Sequence, residues 1–191
     1  CSQSRGLGDV YKRQALEISF LSDDFSVLYV ASNSNPFLPI YYKFSALWGG
    51  HEGSMLLFIL ILSLWIVLFS LFTNYQSVRD KNYLHGFTSL IFLSFAGFTI
   101  FTSNPFERLL PISPLNGTDL NPLLQDFAFT IHPPMLYLGY AGLVIPFAIA
   151  LGRCVGVMEA WALRIKKWTT LAWSFLTPVS YTHLTLPTNG T

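Results

Sequence analysis

The sequence predicts an all-α protein, a polytopic helical bundle in a membrane, with about three complete transmembrane helices and a truncated fourth. Two observations predict this fold class. Of the 191 residues, 52% are hydrophobic and only 11% are charged, whereas charged residues make up about a quarter of an ordinary soluble domain. In addition, three long runs contain no charged residue, and short polar connectors separate them. Such runs are typical of membrane-spanning helices.

The net charge and the cysteine content exclude other classes of protein. A net charge of +1 offers no basis for binding nucleic acid. Two cysteines, Cys1 and Cys154, are too few for a disulfide framework and are not spaced as a zinc site or a redox pair.

The two ends of the chain differ in composition from the part between them. Residues 1–14 and 178–191 are polar and resemble translated sequencing-adapter sequence, so we predict that both are non-native and leave them out of functional interpretation. Residues 15–177 then form the domain of interest. We expect this domain to be a piece of a longer protein.

The first span is predicted at residues 55–73. A helix over this charge-free run is about 28 Å long, which is enough to cross a hydrocarbon core. Residues 15–54 precede it and are expected outside the membrane. Within them, the alternation of Phe25, Val27 and Tyr29 predicts a short strand.

The second and third spans are predicted at residues 86–103 and 135–152. The proline-rich segment 104–134 between them contains six prolines and predicts a loop with room for one short helix at residues 120–129. Pro146 is expected to bend the third span.

A fourth apolar run begins at Trp168 and ends after ten residues at Thr177. Ten residues are too few to cross a membrane as a helix, so this span is predicted to be truncated.

Basic residues indicate how the spans are oriented. The connectors 74–85 and 153–167 together hold six lysines and arginines, whereas the longer segments on the other side hold only Lys43 and Arg108. Connectors rich in basic residues stay in the cytoplasm. His132 and residues 48–54 are therefore expected at the outer surface.

His132 is the first candidate site residue. Residues before proline tend to be extended, and Pro133 and Pro134 suit the first turn of a helix, so His132 is expected near an N-cap. There the positive end of the helix dipole favours a neutral ring with an available lone pair. His132 is thus a candidate ligand for a metal or a haem iron. The alternative is an interfacial histidine that only anchors the end of the helix.

His51 is the second candidate, in the segment WGGHEGS at residues 48–54. The zinc-protease pattern requires a second histidine four residues later, where Met55 stands, so that class is excluded. The three glycines of the segment permit close approach of a flat ligand or of another helix. His51 is therefore a candidate cofactor-binding residue. The alternative is that it pairs with Glu52 or with interfacial water.

Several blocks of the chain resemble one protein family in sequence and in order. They are DFSVLYVASNSN, LPIYYKFSALWGGHEGSMLL, FTSNPF, DLNPLLQDFAFTIHPPMLYLGYAG and KKWTTLAWSFLT. These blocks are similar to the N-terminal part of the cytochrome c maturation protein F (CcmF) family, including its nitrite-reductase-assembly paralogues.

The resemblance implies a haem lyase of many spans in the bacterial inner membrane. Such a protein accepts haem from a periplasmic haem chaperone and joins it to apocytochrome c, together with a thiol-reducing partner subunit. The implied cofactor is haem, and membrane lipid surrounds the spans.

The resemblance also implies roles for particular residues. His132 matches a periplasmic axial ligand to the haem iron, whereas the match of His51 implies no firm role. The family's tryptophan-rich segment, its second external histidine and its haem b histidines belong beyond residue 177. The 191-residue chain alone is therefore expected to be inactive.

Two other classes are alternatives at this point. A haem b electron-transfer subunit could use His132 or His51 as a ligand, but such proteins place paired histidines inside helices, and the predicted spans contain no histidine. A secondary transporter could use Pro146 and nearby glycines as a broken-helix site, but the predicted spans also contain no charge.

Overall fold

The computed structural model of the chain describes residues 14–75, 77–156 and 161–185, and within these ranges every helix or strand element is helical. In chain order the elements are α1 (described over 14–21), α2 (Leu28–Asn33), α3 (Ile40–Ala46), α4 (His51–Phe72), α5 (Val78–Thr102), a 3₁₀ turn (Pro122–Leu124), α6 (Phe127–Gly142), α7 (Val144–Cys154) and α8 (Trp161–Thr185). The predicted all-α class is confirmed.

Three helical segments in the described part of the chain are long and apolar enough to cross a membrane. They are α4, α5 and the combined segment of α6 and α7, Phe127–Cys154. The three predicted complete spans are therefore confirmed. Each begins upstream of its predicted start, α4 by four residues, and α5 and α6 by eight residues each.

The ends of the chain lie partly outside the described residues. The sequence predicts that residues 1–14 and 178–191 are non-native. Of these, residues 1–13 and 186–191 lie outside the described ranges. Residues 178–185 continue α8, which contains Pro178. The fourth apolar run thus belongs to a longer helix that begins at Trp161.

The short strand predicted around Phe25, Val27 and Tyr29 is wrong. Val27 makes one isolated antiparallel bridge with Arg108, and the helix α2 begins at the next residue. Three successive residues of α2 are buried: Tyr29, Val30 and Ala31. Phe25 and Val27 are buried as well, so the alternation did mark buried side chains, but the burial continues through Val30 and Ala31 on a helix.

The single helix predicted at residues 120–129 is also wrong. The structure has a 3₁₀ turn at Pro122–Leu124, and then α6 begins at Phe127 and runs on into the third span. The Asp126 carboxylate accepts a hydrogen bond from the Ala128 backbone N–H at 3.0 Å. Asp126 therefore caps the start of α6, as aspartate commonly does.

The third span is interrupted at Leu143, between α6 and α7. Proline inside a helix lacks an N–H and its ring collides with the carbonyl four residues earlier. For Pro146 that carbonyl belongs to Gly142, the last residue of α6. The interruption agrees with the expected effect of Pro146 on this span.

The described residues form two compact units. The first consists of the residues up to Leu60 together with Ala96–Pro133, and the second consists of Ile61–Phe95 together with the residues from Pro134 onward.

Trp65 lies at the centre of the second unit. Its ring makes edge contacts with Trp168 and Phe175, at centroid distances of 5.9 and 6.2 Å. Its Nε1–H donates to the Leu138 carbonyl at 3.0 Å. A Cβ at Gly142 would lie 2.7 Å from the Trp65 ring, so this glycine lets α6 approach the indole closely.

Tyr75 occupies the connector between α4 and α5. Its hydroxyl lies 3.1 Å from Nε2 of His85, and its ring contacts Phe69. Burial raises the pKa of Tyr75 above its ordinary value. Tyr75 therefore stays neutral at physiological pH and acts as a hydrogen-bonding group.

In the first unit, the charged side chain of α3, Lys43, is buried. Lys43 is 6% exposed, and its Nζ lies 2.6 and 2.7 Å from the two carboxylate oxygens of Asp23. In contrast, Ile40, Tyr41 and Phe44 of the same helix are exposed. This inverted arrangement suits a short helix beside a membrane, where the apolar face meets lipid.

We predict that Lys43→Met destabilises the chain by about 3 kcal/mol, because removing one partner of a buried ion pair leaves the other charge unpaired. The measurement is the free energy of unfolding in detergent. Lys81→Met is the matched control, since Lys81 is exposed. The double variant Lys43→Met/Asp23→Asn should recover part of the loss. Equal stability of the two lysine variants would contradict the prediction.

Candidate functional site

Residues 48–54 comprise the end of the turn before α4 and the first four residues of that helix, and Tyr29 holds the turn in place. The Gly50 backbone N–H donates to the Tyr29 hydroxyl at 2.9 Å. That hydroxyl in turn lies 3.3 Å from the carbonyl oxygens of Ala46 and Leu47, to which it can donate. Because Tyr29 comes from α2, a distant part of the chain fixes the backbone immediately before His51.

Two glycines of this segment, Gly50 and Gly53, lie against other residues of the chain. A Cβ at Gly50 would lie 2.8 Å from the Tyr29 ring, and a Cβ at Gly53 would overlap the Leu47 carbonyl oxygen. The sequence suggested that these glycines allow either a flat ligand or another helix to come close. The structure supports the second possibility, because Tyr29 of α2 packs against Gly50. The space beside these two glycines is not available to a flat ligand.

His51 is the first residue of α4 and is exposed. Its Nδ1 lies 2.8 Å from the hydroxyl oxygen of Ser103, and its ring stands edge-on to Phe98 at a centroid distance of 6.1 Å. Among the described residues, its hydrogen-bond partner is thus Ser103 and not Glu52. The alternative in which His51 pairs with Glu52 is not what the structure shows.

His132 is the sixth residue of α6 and is half-buried. The predicted N-cap position is wrong, because Asp126 caps the helix and five helical residues precede the histidine. The preference of residues before proline for extended backbone is overridden by this earlier start. The N-cap argument for a neutral ring therefore no longer applies to His132.

Pro133 and Pro134 lie inside α6 and not at its start. Pro133 has no N–H to offer the Phe129 carbonyl four residues earlier. The indole Nε1–H of Trp48 donates to that same carbonyl at 3.3 Å. Trp48 is 4% exposed, so a buried side chain from the glycine-rich segment supplies the donor that proline removes.

Both candidate histidines belong to the first unit, each on a different helix. Within the described ranges, no group of three or more His, Cys, Asp or Glu side chains could hold a metal ion. A haem iron needs only one or two axial ligands, because the porphyrin supplies the rest. Each of the two histidines is a donor of the kind that can ligate a haem iron.

Sequence reasoning missed three residues that shape this region: Tyr29, Trp48 and Ser103. Trp48 adjoins the glycine-rich segment and could have been suspected as an anchor. Tyr29 and Ser103 carry no local signal, because their roles come from contacts with residues 21 and 52 positions away.

Comparison with known proteins identifies the family. Residues 48–180 match the family model described as "Cytochrome C assembly protein". The chain belongs to this family. The match includes the glycine-rich segment and the part of α6 that carries His132, and the resemblance to the CcmF group is confirmed by individual relatives.

Two relatives are proteins named "Cytochrome c-type biogenesis protein CcmF". The protein from Pseudomonas aeruginosa is 50% identical over 160 residues, which are 83% of this chain and 24% of the relative. The protein from Pseudomonas fluorescens is 48% identical over 163 residues, 84% of this chain and 25% of the relative. The chain thus spans about a quarter of the length of these relatives.

A solved structure named "Cytochrome c Heme Lyase CcmF" is similar in fold. It matches with a TM-score of 0.75 and 25% identity, over 92% of this chain and 27% of the other. Together with the three apolar helical segments, this likeness makes the chain a multi-pass membrane protein of the CcmF group.

The structure and the family match also bear on the functional alternatives. The argument against a haem b electron carrier was that the spans contain no histidine, and that argument is wrong, since His51, His85 and His132 all lie within helices. The family match favours the cytochrome c assembly function on independent grounds.

We predict that Gly53→Ala lowers the free energy of unfolding by about 3 kcal/mol, because the added methyl group overlaps the Leu47 carbonyl. Gly97→Ala in α5 is the matched control, since a Cβ there meets no atom within 4 Å. That variant should be neutral or slightly stabilised. The measurement is thermal unfolding in detergent, and similar transition temperatures for both variants would refute the prediction.

Proposed function

We propose that the chain is the N-terminal part of a haem lyase that attaches haem to apocytochrome c. The observation that carries this proposal is the likeness of 92% of the chain to the solved "Cytochrome c Heme Lyase CcmF". The family match over residues 48–180 supports it. The remaining parts of the site would come from sequence that the relatives have beyond the matched quarter.

The reaction is thioether formation. Haem supplies two vinyl groups, and a cysteine thiol of the apocytochrome adds to each. Every addition forms one C–S bond and moves the thiol hydrogen to the neighbouring vinyl carbon, so that no net oxidation or reduction occurs. The role of the lyase is to hold haem and peptide together in the correct orientation.

The proposed location is the bacterial inner membrane. The connectors 74–85 and 153–167 face the cytoplasm, and His132 and His51 face the periplasm. The distribution of basic residues supports this orientation.

His132 is the proposed axial ligand to the haem iron. A half-buried imidazole on a membrane helix suits this role, because the surrounding helix restricts the ring while part of it reaches the surface. Trp48 supports the helical turn that leads to His132 by donating to the Phe129 carbonyl. His51 is proposed as a second residue that faces haem.

The proposed partners follow from the same reaction. A periplasmic haem chaperone delivers haem, apocytochrome c accepts it, and a thiol-reducing partner subunit keeps the apocytochrome cysteines reduced. Lipid covers the apolar faces of the spans, which agrees with the many exposed hydrophobic side chains of α5.

We predict that His132→Ala in the full-length protein lowers the yield of cytochrome c at least tenfold, since the iron loses an axial ligand. The measurement is haem-stained cytochrome c in cells that depend on the variant. His85→Ala is the control, because it removes an imidazole from the end of α5 near the 74–85 connector. An unchanged yield in His132→Ala would remove His132 from the mechanism.

We also predict that the purified 191-residue chain neither binds haem tightly nor attaches it to apocytochrome c, because one axial ligand is not a complete site. The measurement is the visible absorption spectrum of the chain mixed with haem, followed by gel filtration. A stable six-coordinate spectrum that survives the column would contradict this expectation.

A further inference from the structure

The turn of α6 that leads to His132 lacks one helical hydrogen bond. Residue 133 is a proline, which has no N–H to donate to the Phe129 carbonyl four residues earlier. Helices usually bend where a bond of this kind is missing. His132 lies three residues after Phe129 and directly before Pro133, so a bend at this turn would change the direction of its side chain.

The indole of Trp48 supplies a donor to this carbonyl. Its Nε1–H donates to the Phe129 oxygen at 3.3 Å, although the two residues are 81 positions apart in the chain. Phe129 is half-buried. A buried acceptor that loses its partner costs more free energy than an ordinary hydrogen bond contributes. The contact therefore matters more at Phe129 than at a carbonyl whose helical N–H is present.

Contacts with its own segment of the chain fix the position of Trp48. The side chain is buried, and its ring packs edge-on against Phe44 at a centroid distance of 5.7 Å. The backbone N–H of Trp48 donates to the Ser45 carbonyl at 3.2 Å, and its carbonyl accepts from the Ser54 hydroxyl at 2.9 Å. The indole N–H is thus oriented by contacts that do not involve α6.

A second hydrogen bond attaches the start of α6 to the same part of the fold. The hydroxyl of Tyr42, in α3, donates to the Gln125 carbonyl at 2.8 Å, two residues before α6 begins. Gln125 and Phe129 are four residues apart, which is about one helical turn. Residues 42–48 therefore hold α6 just before its start and again at the turn before His132. Two such contacts restrain the direction of a helix better than one.

We propose that Trp48 is a positioning residue for His132. Its indole N–H replaces the backbone N–H that Pro133 lacks, and so fixes the direction in which α6 presents the imidazole to haem iron. The haem part of this inference rests on the proposed function of His132, but the hydrogen-bond part does not. The opposing role for Trp48 is that of a core side chain that only fills space.

Trp65 provides a matched control in the same chain. It is also buried, and its Nε1–H also donates to a carbonyl of α6, that of Leu138, at 3.0 Å. The residue four positions after Leu138 is Gly142, whose N–H is available to that carbonyl within the helix. Trp48→Phe and Trp65→Phe each remove a buried indole N–H, but only Trp48→Phe leaves a carbonyl that has no helical donor.

Unfolding of the 191-residue chain in detergent, without haem, tests the hydrogen bond. Pro133→Ala restores a backbone N–H that can donate to the Phe129 carbonyl. Trp48→Phe should therefore raise the unfolding equilibrium constant more in the wild-type background than in the Pro133→Ala background, by at least about fivefold, as expected for one hydrogen bond. Trp65→Phe should have the same effect in both backgrounds. An equal effect of Trp48→Phe in both backgrounds would overturn the proposal.

The visible absorption spectrum of the purified full-length protein with added haem tests the effect on His132. Haem iron that loses an axial imidazole changes from low spin to high spin, and His132→Ala provides the reference spectrum for that loss. Trp48→Phe should lower the ratio of low-spin to high-spin haem at least about fivefold, again the effect of one hydrogen bond. Trp65→Phe should leave the ratio unchanged, and Trp48→Phe/Pro133→Ala should return it towards the wild-type value.

The two measurements separate the possible failures. A side chain that only fills space would lower the amount of folded protein without changing the spin ratio, so an unchanged ratio in Trp48→Phe would refute the positioning role. A Trp48→Phe protein that does not accumulate, and that Pro133→Ala does not restore, would refute it too. Failure of the proposed ligand would appear instead as identical spectra of the wild-type and His132→Ala proteins, a result on which the unfolding measurement does not depend.

Discussion

The first unit depends on a backbone carbonyl that has lost its helical partner. Pro133 leaves the Phe129 oxygen without an N–H donor, and the buried Trp48 indole donates to it. A helix can therefore pass through two consecutive prolines and carry His132 in its second turn. The same tryptophan begins the glycine-rich turn into α4, so one side chain links both candidate histidine segments.

The turn before α4 is equally constrained by atoms from a distant part of the chain. Tyr29 accepts from Gly50 and lies beside two carbonyl oxygens, and Gly53 leaves space for the Leu47 carbonyl. His51 consequently starts α4 from a backbone that has little freedom. One ring nitrogen of His51 lies 2.8 Å from the hydroxyl of the buried Ser103, which restrains the imidazole as well.

The spans could be predicted because the bilayer imposes a strong and local condition on sequence. A membrane helix must satisfy its own backbone hydrogen bonds and present about twenty apolar residues, and both requirements are visible in one continuous run. The ends of the spans could not be predicted as accurately. Asp126 caps α6 upstream of the prolines, and local proline rules gave too late a start for that helix.

By itself, the sequence determined the all-α class, the three spans and the family resemblance, because hydropathy and motif order are properties of neighbouring residues. Only the tertiary structure decided that residues 28–33 are helical, that the glycines admit Tyr29, and that Ser103 contacts His51. Those outcomes depend on groups far apart in the chain. The free energy of each arrangement depends on which distant side chain fills a space or completes a hydrogen bond, and a local sequence pattern does not contain that information.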